Sequence, residues 1–302
     1  FGFQSFPPYR TVKYFAGSRP LRLNSEEVLS HQKHPAGNRL IRKYMKRDYR
    51  VPSSPRDFVY ISQLLQAGGV RTGIEAQRRA APFCMGSLFW QLNDCWPGIT
   101  FSCMDYFGRW KALAYSAREG FGHILVSPVL RGDSLEVYIV SDLMHDREGE
   151  LEVRAFDFSG RLLFRERSRV NLSSNSSRVY FASPVERITG KNDRRRTVLD
   201  FSFYSMGREA AGNQLYLFSP AELILPEPLV EYDMAETGGG PVIRISSRNL
   251  VRNIHLELPG AESVFSDNFF DMMPGEIREI RVQTDKDIEY IRKNFRYRSL
   301  FR

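Results

Sequence analysis

The sequence predicts a multidomain α/β plus all-β chain: the tail of an α/β barrel or layered sheet, followed by two β-sandwiches. Three observations predict it. Apolar residues recur at helical spacing through the first third. A nearly continuous apolar run, Phe83–Leu92, interrupts those helices as a strand buried on both faces would. From about Ile124 onward the pattern changes to alternation broken by turn residues.

The elements follow in order. Ser25 precedes Glu26 and Glu27 as a helix cap, and the stretch to Tyr49 is split at His34-Pro35-Ala36-Gly37 into a short helix, a turn and a helix through Arg47. Phe58, Ile61, Leu64, Leu65 and Ile74 give a long helix over Asp57–Ala81, started by Ser53-Ser54-Pro55. The apolar run then feeds a polar aromatic loop, Gln91–Gly98, and a last helix is expected at about Trp110–Phe121. Strands are expected at Ser134–Val140, Glu150–Phe156, Arg178–Ala182, Val198–Tyr204 and Leu215–Phe218. Turns fall at Arg131–Asp133, Asp146–Gly149 and Phe158–Gly160. Beyond Phe218-Ser219-Pro220 a smaller set is expected at Leu229–Ala235, Val242–Ser247, Ile254–Leu258 and Glu276–Thr284, with Gly238-Gly239-Gly240 as a hairpin turn. These shifts divide the 302 residues at 1–122, 123–219 and 220–302, in keeping with roughly 100–200 residues per domain.

Composition narrows the function classes. The 42% hydrophobic and 26% charged fractions are those of a globular chain. The net charge of +8 is spread thinly; its densest clusters, Arg39–Arg50 and Lys191–Arg196, alternate with other residues and read as solvated surface. No nucleic-acid partner is expected, because duplex binding needs a concentrated basic face. No run reaches the roughly 18 apolar residues of a membrane span, so no membrane partner is expected either. Cys84, Cys95 and Cys103 have neither zinc spacing nor an even count. His31 and His34 lack a third ligand, so no metal and no cofactor is expected. Asn171-Leu172-Ser173 and Asn175-Ser176-Ser177 fit a glycosylation pattern that Ser-rich turns match by chance. The chain opens at Phe1-Gly2-Phe3 with neither a leader nor an initiating Met, so its start says nothing about compartment.

One stretch carries chemistry. Aromatic rings pack against the C–H faces of pyranoses, while amides and carboxylates bind hydroxyls. Trp90, Asn93, Asp94 and Trp96 offer all of these within seven residues, at the end of the presumed barrel strand, where such folds keep their sites. A tryptophan-rich core loop accounts for the same residues. Among the carboxylates of the first third (Glu26, Glu27, Asp48, Asp57, Glu75, Asp94, Asp105, Glu119), most fall on helix faces, and Asp94 and Asp105 suit loop bracing better than catalysis.

Phe89–Pro97, Gly108–Leu113, His31–Asn38 and Phe265–Phe270 resemble, in order along the whole chain, the β-mannosidases of glycoside hydrolase family 2. The resemblance implies a C-terminal remnant of a (β/α)8 barrel followed by two immunoglobulin-like domains. It implies a retaining exo-enzyme releasing terminal β-D-mannose, with a β-mannoside or mannose-containing oligosaccharide as substrate and Trp90 in the wall of the subsite for the cleaved sugar. Phe1-Gly2-Phe3-Gln4-Ser5 is similar to the family phrase Ser-Glu-Phe-Gly-Phe-Gln-Ser. Its nucleophilic Glu is therefore expected immediately before Phe1, and the acid/base Glu further upstream. The missing N-terminal part of the same enzyme is then an obligatory partner, and these residues alone are expected to be inactive. Two alternatives stand: another family 2 glycosidase, acting on β-glucosaminides or β-galactosides, or a carbohydrate-binding or scaffold module. The family suggests a periplasmic location in a bacterium and a lysosomal one in an animal.

Overall fold

A computed structural model describes residues 1–17 and 21–301. The chain forms two compact units. One comprises Phe1–Arg71, Leu88–Ala117 and Glu227–Arg302; the other comprises Thr72–Ser87 and Arg118–Pro226.

The first third is helical. α1 (Tyr9–Ala16), a helix not expected from the sequence, follows Pro7-Pro8, whose fixed φ suits a helix start. α2 (Glu26–Ser30) is capped by Ser25, whose hydroxyl accepts from the Val28 N–H, and α3 (Gly37–Asp48) follows the Pro-containing turn. α4 (Pro55–Arg79) and α5 (Ala112–Gly120) lie where apolar spacing places them. From Phe58 to Ala67 every residue of α4 is buried, polar ones included, so those polar groups must find partners. Gln66 Nε2 donates to the carbonyls of Phe3 (2.8 Å), Phe101 (3.1 Å) and Ser102 (3.2 Å), and its Oε1 accepts from Ser5 Oγ (2.7 Å). Ser62 Oγ accepts from the Phe6 N–H. α4 thereby fixes the two segments that flank the candidate site.

The expected buried strand is corrected. Residues 83–92 run without a β-ladder, and their apolar side chains face out, with Phe83 97% and Leu88 86% exposed. A parallel strand buried on both faces needs a neighbour on each edge and a covering layer on each face. Phe1 lies along one edge at 88–90, and the segment 101–104 meets Gln91 and Leu92. The Phe1 amino group donates to the Leu88 carbonyl (3.2 Å) and the Trp90 N–H donates to the Phe1 carbonyl (2.7 Å). That slanted pair is the parallel pattern, centred on Phe1 and Phe89. Otherwise this region holds isolated bridges, such as Ser5 with Thr100 and Gln32 with Ile99. An α/β region followed by two β-rich units stands; a closed barrel is not formed by the described residues.

The second unit is a sandwich of antiparallel strands. One sheet orders β1 (Ile124–Arg131), β2 (Ser134–Ser141) and β5 (Ser176–Pro184). The other orders β4 (Leu162–Leu172), β3 (Arg147–Asp157), β6 (Thr197–Ser205) and β7 (Arg208–Tyr216). Alternate residues point inward as period two requires: Leu135, Val137 and Ile139 pack with Leu151, Val153, Phe201 and Phe203. A short helix, α6 (Val185–Thr189), follows β5. Three expectations are corrected. β4 was not foreseen, because its outward side is Arg165, Arg167 and Arg169 and its inward side includes Glu166 and Ser168. Of the turn expected at Asp146–Gly149, Arg147, Glu148 and Gly149 already belong to β3. Of the strand expected at Leu215–Phe218, Leu215 and Tyr216 are the end of β7, and Leu217 and Phe218 lie beyond it.

The first unit also contains the last strands. β8 (Val230–Thr237) and β9 (Gly240–Ser247) form the hairpin across the glycine turn. β13 (Ile277–Thr284) and β11 (Ser263–Phe265) complete that sheet, facing β12 (Phe270–Met272), β10 (Val251–Glu257) and β14 (Arg296–Arg298), with α7 (Ile288–Asn294) between β13 and β14. Ile243, Ile245, Ile254, Leu256, Ile280 and Phe295 fill the core. This sheet pair is tied to the helices by side chains. Tyr60 and Tyr115 hydroxyls donate to the carbonyls of Asn253 (2.5 Å) and Phe265 (3.3 Å), and Arg109 grips Glu262 with two bonds (2.8 and 2.6 Å).

Candidate functional site

The loop 90–96 stands on the segment 100–104. The Gln91 N–H donates to the Phe101 carbonyl (3.1 Å), Cys103 N–H to the Gln91 carbonyl (2.9 Å) and Met104 N–H to the Leu92 carbonyl (2.9 Å). Cys103 Sγ adds a bond to the Leu92 carbonyl (3.1 Å). The Trp90–Gln91 peptide is cis. Gly2 passes so close that a Cβ there would lie 2.7 Å from the Trp90 carbonyl oxygen, so the approach of Phe1–Phe3 to Trp90 requires glycine.

The four expected residues separate into two pairs. Trp90 is 65% exposed and Asn93 is also exposed; together they present a ring and an amide to solvent. Trp96 is 40% exposed, but one ring face is covered: His31 stacks on it at 4.4 Å and Phe15 stacks on His31 at 4.3 Å. Asp94 points inward. Its Oδ2 accepts from Ser102 Oγ (2.8 Å) and its Oδ1 from Gln91 Nε2 (3.5 Å). Gln91 Nε2 also donates to the Asn93 carbonyl (2.7 Å). Burial pushes the Asp94 carboxyl above its ordinary value.

The segment His31–Asn38 braces Trp96 from behind. His31 Nδ1 lies 2.6 Å from the Pro97 carbonyl, and the Ala36 N–H donates to His34 Nδ1 (3.1 Å). Gln32 accepts from Gln4 (2.8 Å) and donates to Asn38 (2.6 Å). Among the described residues, no three His, Cys, Asp or Glu side chains group as a metal site would, and no helix is long and apolar enough to cross a membrane.

Sequence reasoning missed Lys111. It is 0% exposed, and its Nζ has no hydrogen-bond partner among the described residues. Burial pushes its ammonium down to about 8, against the opposing pull of Asp94, Cys103 and Asp105. The available signal was a lysine inside the apolar run Trp110-Lys111-Ala112-Leu113. Asp105 is engaged otherwise: it accepts from Thr11 Oγ1 and from the N–H groups of Phe107 and Arg109 (both 2.9 Å).

A cavity of about 450 Å³ lies elsewhere in the same unit, lined by Tyr9, Arg56, Tyr60, Trp110, Glu257 and Arg298 among others. None of the four expected residues lines it. Arg56 pairs with Glu257, and Arg298 with Glu257 (3.7 Å) and with Asp57 (3.1 Å).

Comparison with known proteins places these features. A family profile described as Mannosidase Ig/CBM-like domain matches residues 133–221, and one described as Ig-fold domain, of the mannosidase type, matches residues 225–302. The β-mannosidase of Mus musculus is 26% identical over 294 residues, covering 90% of this chain and 33% of its own length. The crystal structure of β-D-mannosidase from Dictyoglomus thermophilum superposes with a TM-score of 0.90 at 24% identity, over 99% of this chain and 36% of that one. An exo-chitosanase from Amycolatopsis orientalis gives 0.75 at 13% identity, over 98% and 40%. The two structures establish likeness of fold. The chain spans about a third of the length of the curated relatives it matches.

Proposed function

We propose a function from one premise: the chain is a relative of the β-mannosidases of glycoside hydrolase family 2, and it represents a part of such an enzyme. In our reading that enzyme is a retaining exo-β-mannosidase, and residues 1–122, 123–219 and 220–302 are its last barrel portion and two immunoglobulin-like domains. A retaining glycosidase needs two carboxyl groups about 5–5.5 Å apart, one as nucleophile and the other as acid and then base. Asp94 and Asp105 are buried and turned into hydrogen bonds, so neither supplies such a pair. We assign the nucleophile to a glutamate preceding Phe1 and the acid/base to another part of the enzyme.

The observation that carries this reading is the exposed pair of Trp90 and Asn93 beside the Phe1–Phe89 parallel pairing. In our reading Trp90 lies beside the segment that follows the assigned nucleophile. Its indole then forms a wall against the C–H face of the cleaved mannose, and Asn93 is placed to meet hydroxyls. Asp94 and Trp96 hold the loop.

The fold likeness to an exo-chitosanase favours, as a second reading, the same chemistry on another sugar. A separate carbohydrate-binding role for 123–219 finds less support: no Trp lies beyond Trp110, and of its large exposed apolar side chains (Leu130, Met144, Leu162, Val179, Met206, Phe218) Phe218 alone is aromatic, so no exposed aromatic group forms there. The test is hydrolysis of nitrophenyl β-mannoside, β-glucosaminide and β-galactoside by the enzyme containing this chain. Fastest turnover of the mannoside, with β-mannose as the first-formed anomer by NMR, supports the reading. Preference for another sugar, or inversion, overturns it.

A further inference from the structure

We propose that Tyr14, Tyr106 and Phe107 form a second aromatic platform, which binds a sugar unit on the leaving-group side of a β-linked oligosaccharide. The inference rests on the reading of Trp90 as the wall for the cleaved unit and extends it from one sugar to several.

The three rings form one surface group. Tyr14 is 67% and Tyr106 49% exposed, and Phe107 between them is exposed as well. Phe107 meets Tyr14 at 5.0 Å and Tyr106 at 5.1 Å, each nearly at right angles, and the Arg109 guanidinium lies over its ring at 4.6 Å. Single exposed rings need no explanation, whereas a contiguous group of them marks a place where something binds. Tyr14 and Tyr106 also end in hydroxyls that have no hydrogen-bond partner among the described residues. Rings with a polar edge suit a pyranose, which has a C–H face and a rim of hydroxyls.

The platform is fixed in advance. Asp105 closes the turn 105–109: its Oδ1 accepts from the N–H groups of Phe107 and Arg109 (both 2.9 Å), and its own N–H donates to the Arg109 carbonyl (3.0 Å). Gly108 takes the positive φ of 78° that this turn requires. Asp105 Oδ2 accepts from Thr11 Oγ1 of α1, and Thr11 Oγ1 accepts from Arg109 (2.7 Å). Tyr14 follows Thr11 by three residues, so it shares the helix face that the turn holds. Rings held this way lose little freedom on binding.

Its place in the chain suits the leaving group. The turn begins one residue after Met104, whose N–H donates to the carbonyl of Leu92, two residues beyond Trp90. Chain reach keeps the backbone of Tyr106 within roughly 20 Å of that of Trp90, inside the span of a short oligosaccharide. In an exo-enzyme only the terminal unit lies at the cleaved position, so any further platform meets the leaving group.

The experiment uses the enzyme that contains this chain and compares kcat/KM for β-linked mannotriose with that for β-mannosyl fluoride, whose leaving group is a single atom. The expected result is a fall of about tenfold in the trisaccharide-to-fluoride ratio in Tyr106→Ala and in Tyr14→Ala. A ratio that does not fall overturns the inference. An unchanged ratio with a lowered thermal midpoint overturns it in favour of rings covered by another part of the enzyme. If the enzyme turns over no mannoside, the reading of Trp90 fails separately, and titration of the 302-residue chain with cellotriose and chitotriose decides the platform. Saturable shifts of the Tyr14 and Tyr106 ring resonances then support it, and flat resonances overturn it.

Discussion

Lys111→Met has a calculable effect on stability. In the folded chain the ammonium titrates at about 8 rather than 10.5, chiefly because burial removes its water. Below pH 8 it is protonated folded and unfolded alike, and the folded state carries the whole penalty, about 3 kcal/mol for a displacement of that size. Between pH 8 and 10.5 the unfolded chain binds a proton that the folded chain does not, so wild-type stability rises with pH across this window. Methionine has no such penalty. At pH 7 Lys111→Met is therefore more stable by up to about 3 kcal/mol, reduced by the attraction to nearby negative groups that is lost with the charge. That difference shrinks by about 3 kcal/mol as pH reaches 10.5. Half-buried Tyr49, raised to about 12, and buried Tyr60, also raised, pull stability down above pH 10 in both proteins, so they cancel in the comparison. Urea unfolding followed by tryptophan emission suits the measurement, because Trp90, Trp96 and Trp110 all lie in the unit that contains Lys111. Parallel stability curves from pH 7 to about 10.5 would refute the reasoning.

Three further outcomes are expected. Trp90→Ala should lower kcat/KM of the enzyme for a β-mannoside at least about tenfold while leaving the urea midpoint in place, since Trp90 is mostly solvated. Gly149→Ala should destabilise the second unit by about 1–3 kcal/mol, read by thermal unfolding in circular dichroism, because its Cβ would lie 2.4 Å from the Tyr204 carbonyl and 2.5 Å from the Phe203 ring. Phe201→Ala, at a fully buried position, should cost about 3–5 kcal/mol by the same method.

Much of the fold was legible because its signals are local. Ser25 and the Pro35 turn delimit α2 and α3, and the alternation of apolar with polar or larger residues in β2 and β3 marks strands with one face in a core. β4 was hidden because charged residues occupy both of its faces; its pairing with β3, not its own composition, makes it a strand. The run 83–92 failed in the opposite way. Its composition specifies burial, but burial depends on neighbouring strands and helices that the described residues do not provide. At the site, Trp90 and Asn93 could be named from residue type alone, whereas the inward turn of Asp94 and the seclusion of Lys111 depend on contacts between segments 90–96, 100–104 and 105–111. No spacing rule encodes those contacts.

The most direct measurement is mannose release from a chromogenic β-mannoside by the purified 302-residue chain. The account predicts none above the uncatalysed rate, because it assigns both catalytic carboxylates to residues outside 1–302. Sustained turnover that co-purifies with the chain would contradict it and would require a catalytic pair within residues 1–302.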